Sequence, residues 1–341
     1  MKTLVTGNLG YIGSVLSETL IKAGHEVTGL DAGYFAHCLL SPIQNQIETK
    51  LVDVRNAQGE DLSNLDAVIH LAGLSNDPVG ELNKLLTFDI NYKATINLAE
   101  LAKASGVKIF VFFSTQSIYG ISNSDEELDE YNSSKNPQTE YAKTKWLAEQ
   151  ELKKLEDSEF SVVYVRPSTV FGWSPRLRTD IVFNNLLFNG LKDNSIQVHS
   201  DGTPWRPAIH IQDLANFVIK ILNSPKNAVA GKVFNVGTYN GNYTIKQIAE
   251  AAQKCFQTYV PIVLNTEEIQ DPRSYKVSFE RAKNELGFIA RTELTEGGGE
   301  VIKKIKESGM DLDTIHNYTT RLKQLNILID SGKLTKDLYF Q

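Results

Sequence analysis

Tyr141 and Lys145, in the run Tyr141-Ala142-Lys143-Thr144-Lys145, stand four residues apart. On a helix they share one face. A phenol is a poor base at its ordinary pKa of about 10. A nearby ammonium favours the phenolate, and roughly 4 kcal/mol of differential interaction would bring that pKa to about 7. Such a pair is suited to taking a proton from a hydroxyl. The run Ser114-Thr115-Gln116-Ser117-Ile118-Tyr119-Gly120 follows Ile109-Phe110-Val111-Phe112-Phe113, a strand-sized apolar stretch. Hydroxyl side chains at a strand's C-terminal end can reach a substrate oxygen.

A second set of residues suits a charged nucleotide. Thr6-Gly7-Asn8-Leu9-Gly10-Tyr11-Ile12-Gly13 follows the strand-like Lys2-Thr3-Leu4-Val5. It leads into residues 11–23, where Ile12, Val15, Leu16, Leu20 and Ile21 recur at helical spacing. Gly7 permits a tight turn, Gly10 lets backbone approach a pyrophosphate, and Gly13 lets helix and strand pack closely. The backbone from Asn8 to Ile12 then offers free N–H groups to phosphates. A second strand ends at Asp31, about 20 residues past the glycines, where a carboxylate meets the adenosine ribose hydroxyls. That acid repels a 2′-phosphate and so favours NAD over NADP. Asp53-Val54 closes a third strand, and Asp53 is placed to accept from an adenine amino group. Leu71-Ala72-Gly73 closes a fourth, leaving room for a cofactor beside the backbone. His70 reads as a packed strand residue with no chemical role.

These residues must be positioned by alternating strands and helices. Further strands are expected at 48–52, 67–71, 108–114 and 161–166, with helices at 81–104 and 140–155. The alternation predicts an α/β, Rossmann-type doubly wound parallel sheet, with ligands beyond the strands' carboxyl ends. The 341 residues suffice for two lobes. A net charge of −6 argues against nucleic acid as the main partner. Cys38 and Cys255 match neither a metal spacing nor a disulfide framework. No apolar run approaches transmembrane length, and the glycine strand begins at the first residues without a leader. A soluble, cytoplasmic protein is expected.

Taken together, the motifs resemble the extended short-chain dehydrogenase/reductase family, in particular its sugar-nucleotide epimerases, dehydratases and 4-ketoreductases. The resemblance covers residues 1–300 or so and includes Arg166-Pro167-Ser168-Thr169-Val170-Phe171-Gly172. It implies that Tyr141 is the acid/base and that Lys145 holds the nicotinamide ribose and lowers the tyrosine pKa. It implies that Thr115 bonds the reacting sugar oxygen, with Gln116 and Ser117 beside it, and that Ser114 and Asn91 flank the cofactor. By the same analogy Arg206 and Arg273 hold a nucleoside diphosphate, with Arg178 and Arg176 assisting from the loop after Gly172. His210 and Asp213 are expected to be structural.

The implied domains are 1–168 plus 206–238 for NAD, 169–205 plus 239–305 for the substrate, and a C-terminal extension at 306–341. Three departures stand out. The Asp-Glu pair of 4,6-dehydratases is replaced by Gln116 and Ser117, which disfavours dehydration. Thr169 replaces a common asparagine, and Ser75-Asn76-Asp77-Pro78 is an unusual loop beside the cofactor. The extension carries a stretch at 318–329, expected to be one amphipathic helix with Leu322, Leu325, Ile327 and Ile329 on or near one side. Leu338-Tyr339-Phe340-Gln341 resembles part of a protease-cleavage tag and is set aside.

The expectation is an NAD-dependent sugar-nucleotide epimerase acting through a transient 4-keto sugar. The alternatives are a nucleotide-sugar 4-ketoreductase using NADH or NADPH and, from another class, a catalytically silent NAD-binding scaffold. A homodimer through helices 81–104 and 140–155 is expected from the resemblance.

Overall fold

The computed structural model describes residues 1–75, 77–81, 83–122, 126–265 and 273–341. Its strands are β1 (Lys2–Thr6), β2 (Glu26–Asp31), β3 (Thr49–Leu51), β4 (Ala67–His70), β5 (Ile109–Phe113), β6 (Ser161–Pro167), β7 (Thr169–Phe171), β8 (Ile196–Val198), β9 (Trp205–His210), β10 (Val233–Val236), β11 (Asn242–Thr244) and β12 (Ile262–Leu264). Seven of them form one sheet in the order β10-β6-β5-β4-β1-β2-β3. All its pairs are parallel, with Thr6 opposite both Leu30 and His70. The chain winds outward from β1 to β3, then crosses back to β4 and proceeds the other way. The crevice at the carboxyl ends of β1 and β4 is therefore the switch point where such sheets bind ligands.

Both sheet faces are covered, as the near-continuous apolar strands require. Successive side chains alternate across the pleat. Val5, Val111 and Val163 join Leu16, Leu20 and Phe217 in one core. Leu4, Phe110, Phe112 and Val162 join Leu98, Ala148 and Leu152 in the other. A smaller sheet, β11-β9-β7, and the pair β12-β8 stand beyond the carboxyl ends of the main sheet's strands and build the second wall of the crevice.

Two helices differ from the sequence reading. The expected crossover at 81–104, of which Leu82 lies outside the described residues, divides into Lys84–Phe88, a wide π-type turn at Asp89–Lys93, and Ala94–Ala104. Such turns often mark functional sites. Here the turn carries the fully buried Asn91, whose amide accepts from Leu74 N at 2.8 Å and donates to Leu74 O at 3.0 Å. In the extension, the single helix expected at 318–329 is two, Leu312–Thr319 and Arg321–Asp330. Thr320 leaves the helical region at ψ 102° and breaks the run. Leu325 and Leu328 enter the second core, whereas Ile327 faces solvent.

Helix Glu140–Leu152 is fixed to the sheet by a buried ion pair. Arg166 on β6 donates to both carboxylate oxygens of Glu149, at 2.9 and 2.6 Å. Thr139 caps that helix by accepting from Ala142 N. The helix bearing Tyr141 and Lys145 is thereby locked in rotation against the sheet.

Candidate active site

The crevice is one continuous cavity of about 790 Å³. One end is floored by the glycine turn. Gly7 has φ +74°, a conformation L side chains rarely adopt. A Cβ on Gly13 would lie 2.2 Å from Gly7 O, so only glycine allows helix Tyr11–Lys22 to start this close to β1. No side chain caps that helix start, and its first N–H groups are open to an anion. Gly10, Tyr11 and Ile12 line the cavity here, with Leu71, Ala72 and Gly73 as the adjoining wall.

Asp31 also lines the cavity. Burial pushes its carboxyl up, while the N–H groups of Gly33 and Leu9, at 2.7 and 3.0 Å, pull it back. Asn8 does not line the cavity; its amide donates to Thr49 Oγ1 and packs on Gly29. Leu9 contributes through its backbone N–H to Asp31 rather than by facing the cavity.

Asp53 and Val54 also line the cavity, but Asp53 is already gripped. Both its oxygens accept from the Arg55 guanidinium, at 2.9 and 2.7 Å, and Tyr34 OH donates to it at 2.9 Å. These bonds hold the carboxyl below its usual range against the upward push of burial. Tyr34 OH also bonds Leu338 O at 2.7 Å, and Arg55 lies 3.8 Å over the Tyr339 ring. The tail set aside in the sequence is thus packed behind the nucleotide end, with Leu338 fully buried.

The other end holds the hydroxyl groups expected to react. Thr115 and Tyr141 line it together, and the Thr115 hydroxyl accepts from Ser117 N at 3.1 Å. Burial pushes the Tyr141 phenol up to about 12; the Thr115 hydroxyl and Arg178 pull it down, and Asp77 pushes it further up. Arg178 is thus a cation acting on the phenol, beside the expected Lys145. Lys145 is fully buried beneath the strand end, where its Nζ donates to Phe113 O at 2.8 Å, and burial pulls its ammonium down to about 8. It adjoins Gly73, within 3.8 Å of where a Cβ would stand.

Arg178 is held bidentate by Asp180 at 2.8 and 3.0 Å and donates to Ser75 O and Oγ. Arg273 pairs with Asp77 at 2.7 Å and donates to Ser117 Oγ at 3.1 Å. Arg206 donates to Arg273 O and its cation lies 5.8 Å from the Tyr275 ring centre. All three arginines line the cavity. Arg176 does not; it bonds Phe35 O and Ala36 O.

Gln116, Ser114 and Asn91 stand behind the cavity wall. The Gln116 amide donates to Arg166 O and accepts from Ser168 Oγ, so it points into the sheet rather than at a ligand. The Ser114 hydroxyl is buried without a partner, and Asn91 clips the loop at Leu74. His70 bridges the Thr6 and Thr95 hydroxyls in the core, in keeping with its reading as a packed residue. Asn76, Asp271 and Pro272, which belong to two of the motifs, lie outside the described residues.

Among the cavity residues not singled out from sequence are Tyr34, Asp180 and Arg321. Asp180 had a signal, an acid two residues beyond Arg178. Arg321 had none, because nothing local ties the C-terminal extension to the crevice.

The family model described as "NAD dependent epimerase/dehydratase family" matches residues 3–237. The chain belongs to this family. It is 28% identical over 333 residues to UDP-glucose 4-epimerase of Bacillus subtilis, spanning 87% of this chain and 94% of that protein. The solved structure of MoeE5 in complex with UDP-glucose and NAD superposes with a TM-score of 0.78 at 26% identity, covering 91% of this chain and all of the other. The structure of UDP-glucuronic acid 4-epimerase from Bacillus cereus with UDP-glucuronic acid and NAD gives 0.77 at 25% identity, covering 90% and 99%. The protein is accordingly an NAD-dependent enzyme of the extended short-chain dehydrogenase/reductase type. The open helix start and glycine cradle fit a dinucleotide diphosphate. No helix among the described residues is long and apolar enough to cross a membrane.

Proposed function

We propose that the protein epimerises a nucleoside-diphosphate sugar at C4, with UDP as the nucleotide. The observation that carries the reading is that Thr115 and Tyr141 line one end of a cavity whose other end is the glycine turn and Asp31. A sugar hydroxyl placed against these two oxygens loses its proton to Tyr141 while Thr115 fixes its direction. Bound NAD supplies a nicotinamide that takes up the carbon-bound hydride and gives it back.

The chain's own groups do the remaining work. Lys145, tied to Phe113 O beside Gly73, is placed to orient a ribose hydroxyl. Arg178 steadies the phenolate through charge. Arg206 and Arg273 flank the outer end and hold the sugar nucleotide's diphosphate while the 4-keto sugar turns over. Two guanidiniums on a diphosphate form charge-assisted, bidentate-capable bonds. In this reading, segments 1–168 and 206–238 form the NAD lobe, and 169–205 with 239–305 form the sugar-nucleotide lobe. The protein works in the cytoplasm as a homodimer through the faces carrying exposed Leu85 and Leu147.

The test is a panel of UDP-sugars incubated with purified protein and no added cofactor, followed by NMR and absorbance at a reduced-nicotinamide wavelength. Interconversion of C4 epimers without net absorbance change is expected. Turnover only of keto sugars with added NADH or NADPH would make it a reductase. NAD binding with no turnover of any UDP-sugar would make it a silent scaffold.

A further inference from the structure

Arg321 opens the second helix of the C-terminal extension yet reaches the cavity that the glycine turn lines. It is 3% exposed. Its backbone N–H bonds Asp180, its guanidinium donates to Arg176 O at 3.0 Å and to Tyr318 O at 3.2 Å, and it stacks 4.3 Å over Phe35. These contacts place it between Asp31, at the ribose end, and Arg178, at the reacting end; both act on it, or it on them, through charge.

Three arginines meet here with unequal partners. Arg178 is neutralised by Asp180. Arg176 points its bonds at Phe35 O and Ala36 O, outside the cavity lining. Arg321 lines the cavity, and the carboxylate that acts on its guanidinium, Asp180, is already the bidentate partner of Arg178. Burying a cation without a counter-ion is unfavourable. Burial pulls this guanidinium down to about 10, with Arg178 and Arg176 adding to the effect and Asp180 opposing it. A dianionic diphosphate resting on the open start of helix Tyr11–Lys22 supplies the missing charge.

We propose that Arg321 binds the diphosphate of the dinucleotide cofactor, so that the C-terminal extension completes the cofactor site. This inference rests on the NAD-binding reading but not on which sugar is turned over.

The experiment is calorimetric titration of NAD, adenosine and UDP into the full chain and its R321Q and R321K variants. In R321Q, NAD affinity is expected to fall about ten-fold or more, as for loss of a charged hydrogen bond. Adenosine and UDP affinities should change less than about two-fold, and R321K should recover part of the NAD loss. Unchanged NAD affinity in R321Q overturns the inference, and so does an equal loss of adenosine, which marks a structural role. A loss confined to UDP also overturns it, because Arg321 would then serve the substrate. Hydrogen exchange on the unmutated protein is independent of how the variants fold. NAD should protect segment 312–330 and adenosine should not; equal protection overturns the inference. Wild-type protein that binds no NAD overturns the cofactor reading itself, whereas wild-type binding with an indifferent R321Q removes only this inference.

Discussion

The Thr115 hydroxyl accepts from Ser117 N at 3.1 Å and shares the cavity wall with Tyr141, whose phenol pKa it lowers. One side chain therefore caps the turn after β5 and, in the proposed mechanism, faces the base carried by helix Glu140–Leu152. Its orientation is set by the backbone before any substrate arrives, which is the preorganisation a proton-transfer site needs. Tyr141→Phe should lower kcat by roughly 10²–10⁴-fold with NAD affinity retained. A variant that keeps most of its turnover in steady-state assays would remove Tyr141 from the mechanism.

Asp77 faces the same phenol and pushes its pKa up. A base must be ionised to act, so activity rises with pH as Tyr141 loses its proton. Asp77→Asn removes the opposing charge and also releases Arg273 from its 2.7 Å ion pair. Both changes favour the phenolate. The acidic limb of the kcat/KM profile should move to lower pH; movement to higher pH would contradict this electrostatic account.

Lys145 is a buried ammonium drawn down to about 8 from an ordinary 10.5. The folded state binds its proton less well than the unfolded state does. The resulting penalty is fully present below pH 8, fades between about 8 and 10.5, and is gone above. Lys145→Met should therefore raise the urea midpoint at pH 7, show little change near pH 11, and abolish turnover. Destabilisation at pH 7 would mean that the bond to Phe113 O outweighs the desolvation.

Gly13 meets backbone, not flexible side chains: a Cβ there would stand 2.7 Å from Asn8 Cα as well as 2.2 Å from Gly7 O. Gly13→Ala must displace the helix start that faces the cofactor diphosphate. NAD that accompanies the wild-type protein through purification should be lost, and the melting temperature should fall. Wild-type NAD content in the variant, read by native mass spectrometry, would show that the turn relaxes.

The Arg166–Glu149 pair is buried on both sides, at 2% and 5% exposure. Arg166→Met leaves Glu149 charged and unpartnered next to Lys145. A loss of about 3–5 kcal/mol is expected, because one half of a buried pair is left without its partner. Denaturant unfolding would measure it. The double variant R166M/E149L should recover much of that loss, and failure to recover would point to packing instead.

The sequence by itself determined the sheet, the glycine turn and the list of chemical groups. Apolar strands alternating with helical periodicity leave few topologies, and Gly7, Gly10 and Gly13 have few other uses at that spacing. Tyr141 and Lys145 were legible because their relation is local, one turn along a helix. Long-range relations were decided only by the tertiary structure. That a second cation, Arg178, acts on the phenol depends on where the loop after β7 returns. Gln116 and Ser117 are neighbours in sequence, yet one turns into the sheet and the other bonds Arg273 at the cavity, because successive residues of the 3₁₀ turn Gln116–Tyr119 point about 120° apart. Asp53 carries no mark of its Arg55 and Tyr34 partners beyond proximity in the chain. Arg321 belongs to a stretch with ordinary amphipathic spacing and reaches the crevice only because its helix docks Leu325 and Leu328 into the second core. Periodicity records which face of an element is buried; what that face meets is fixed by how distant elements pack.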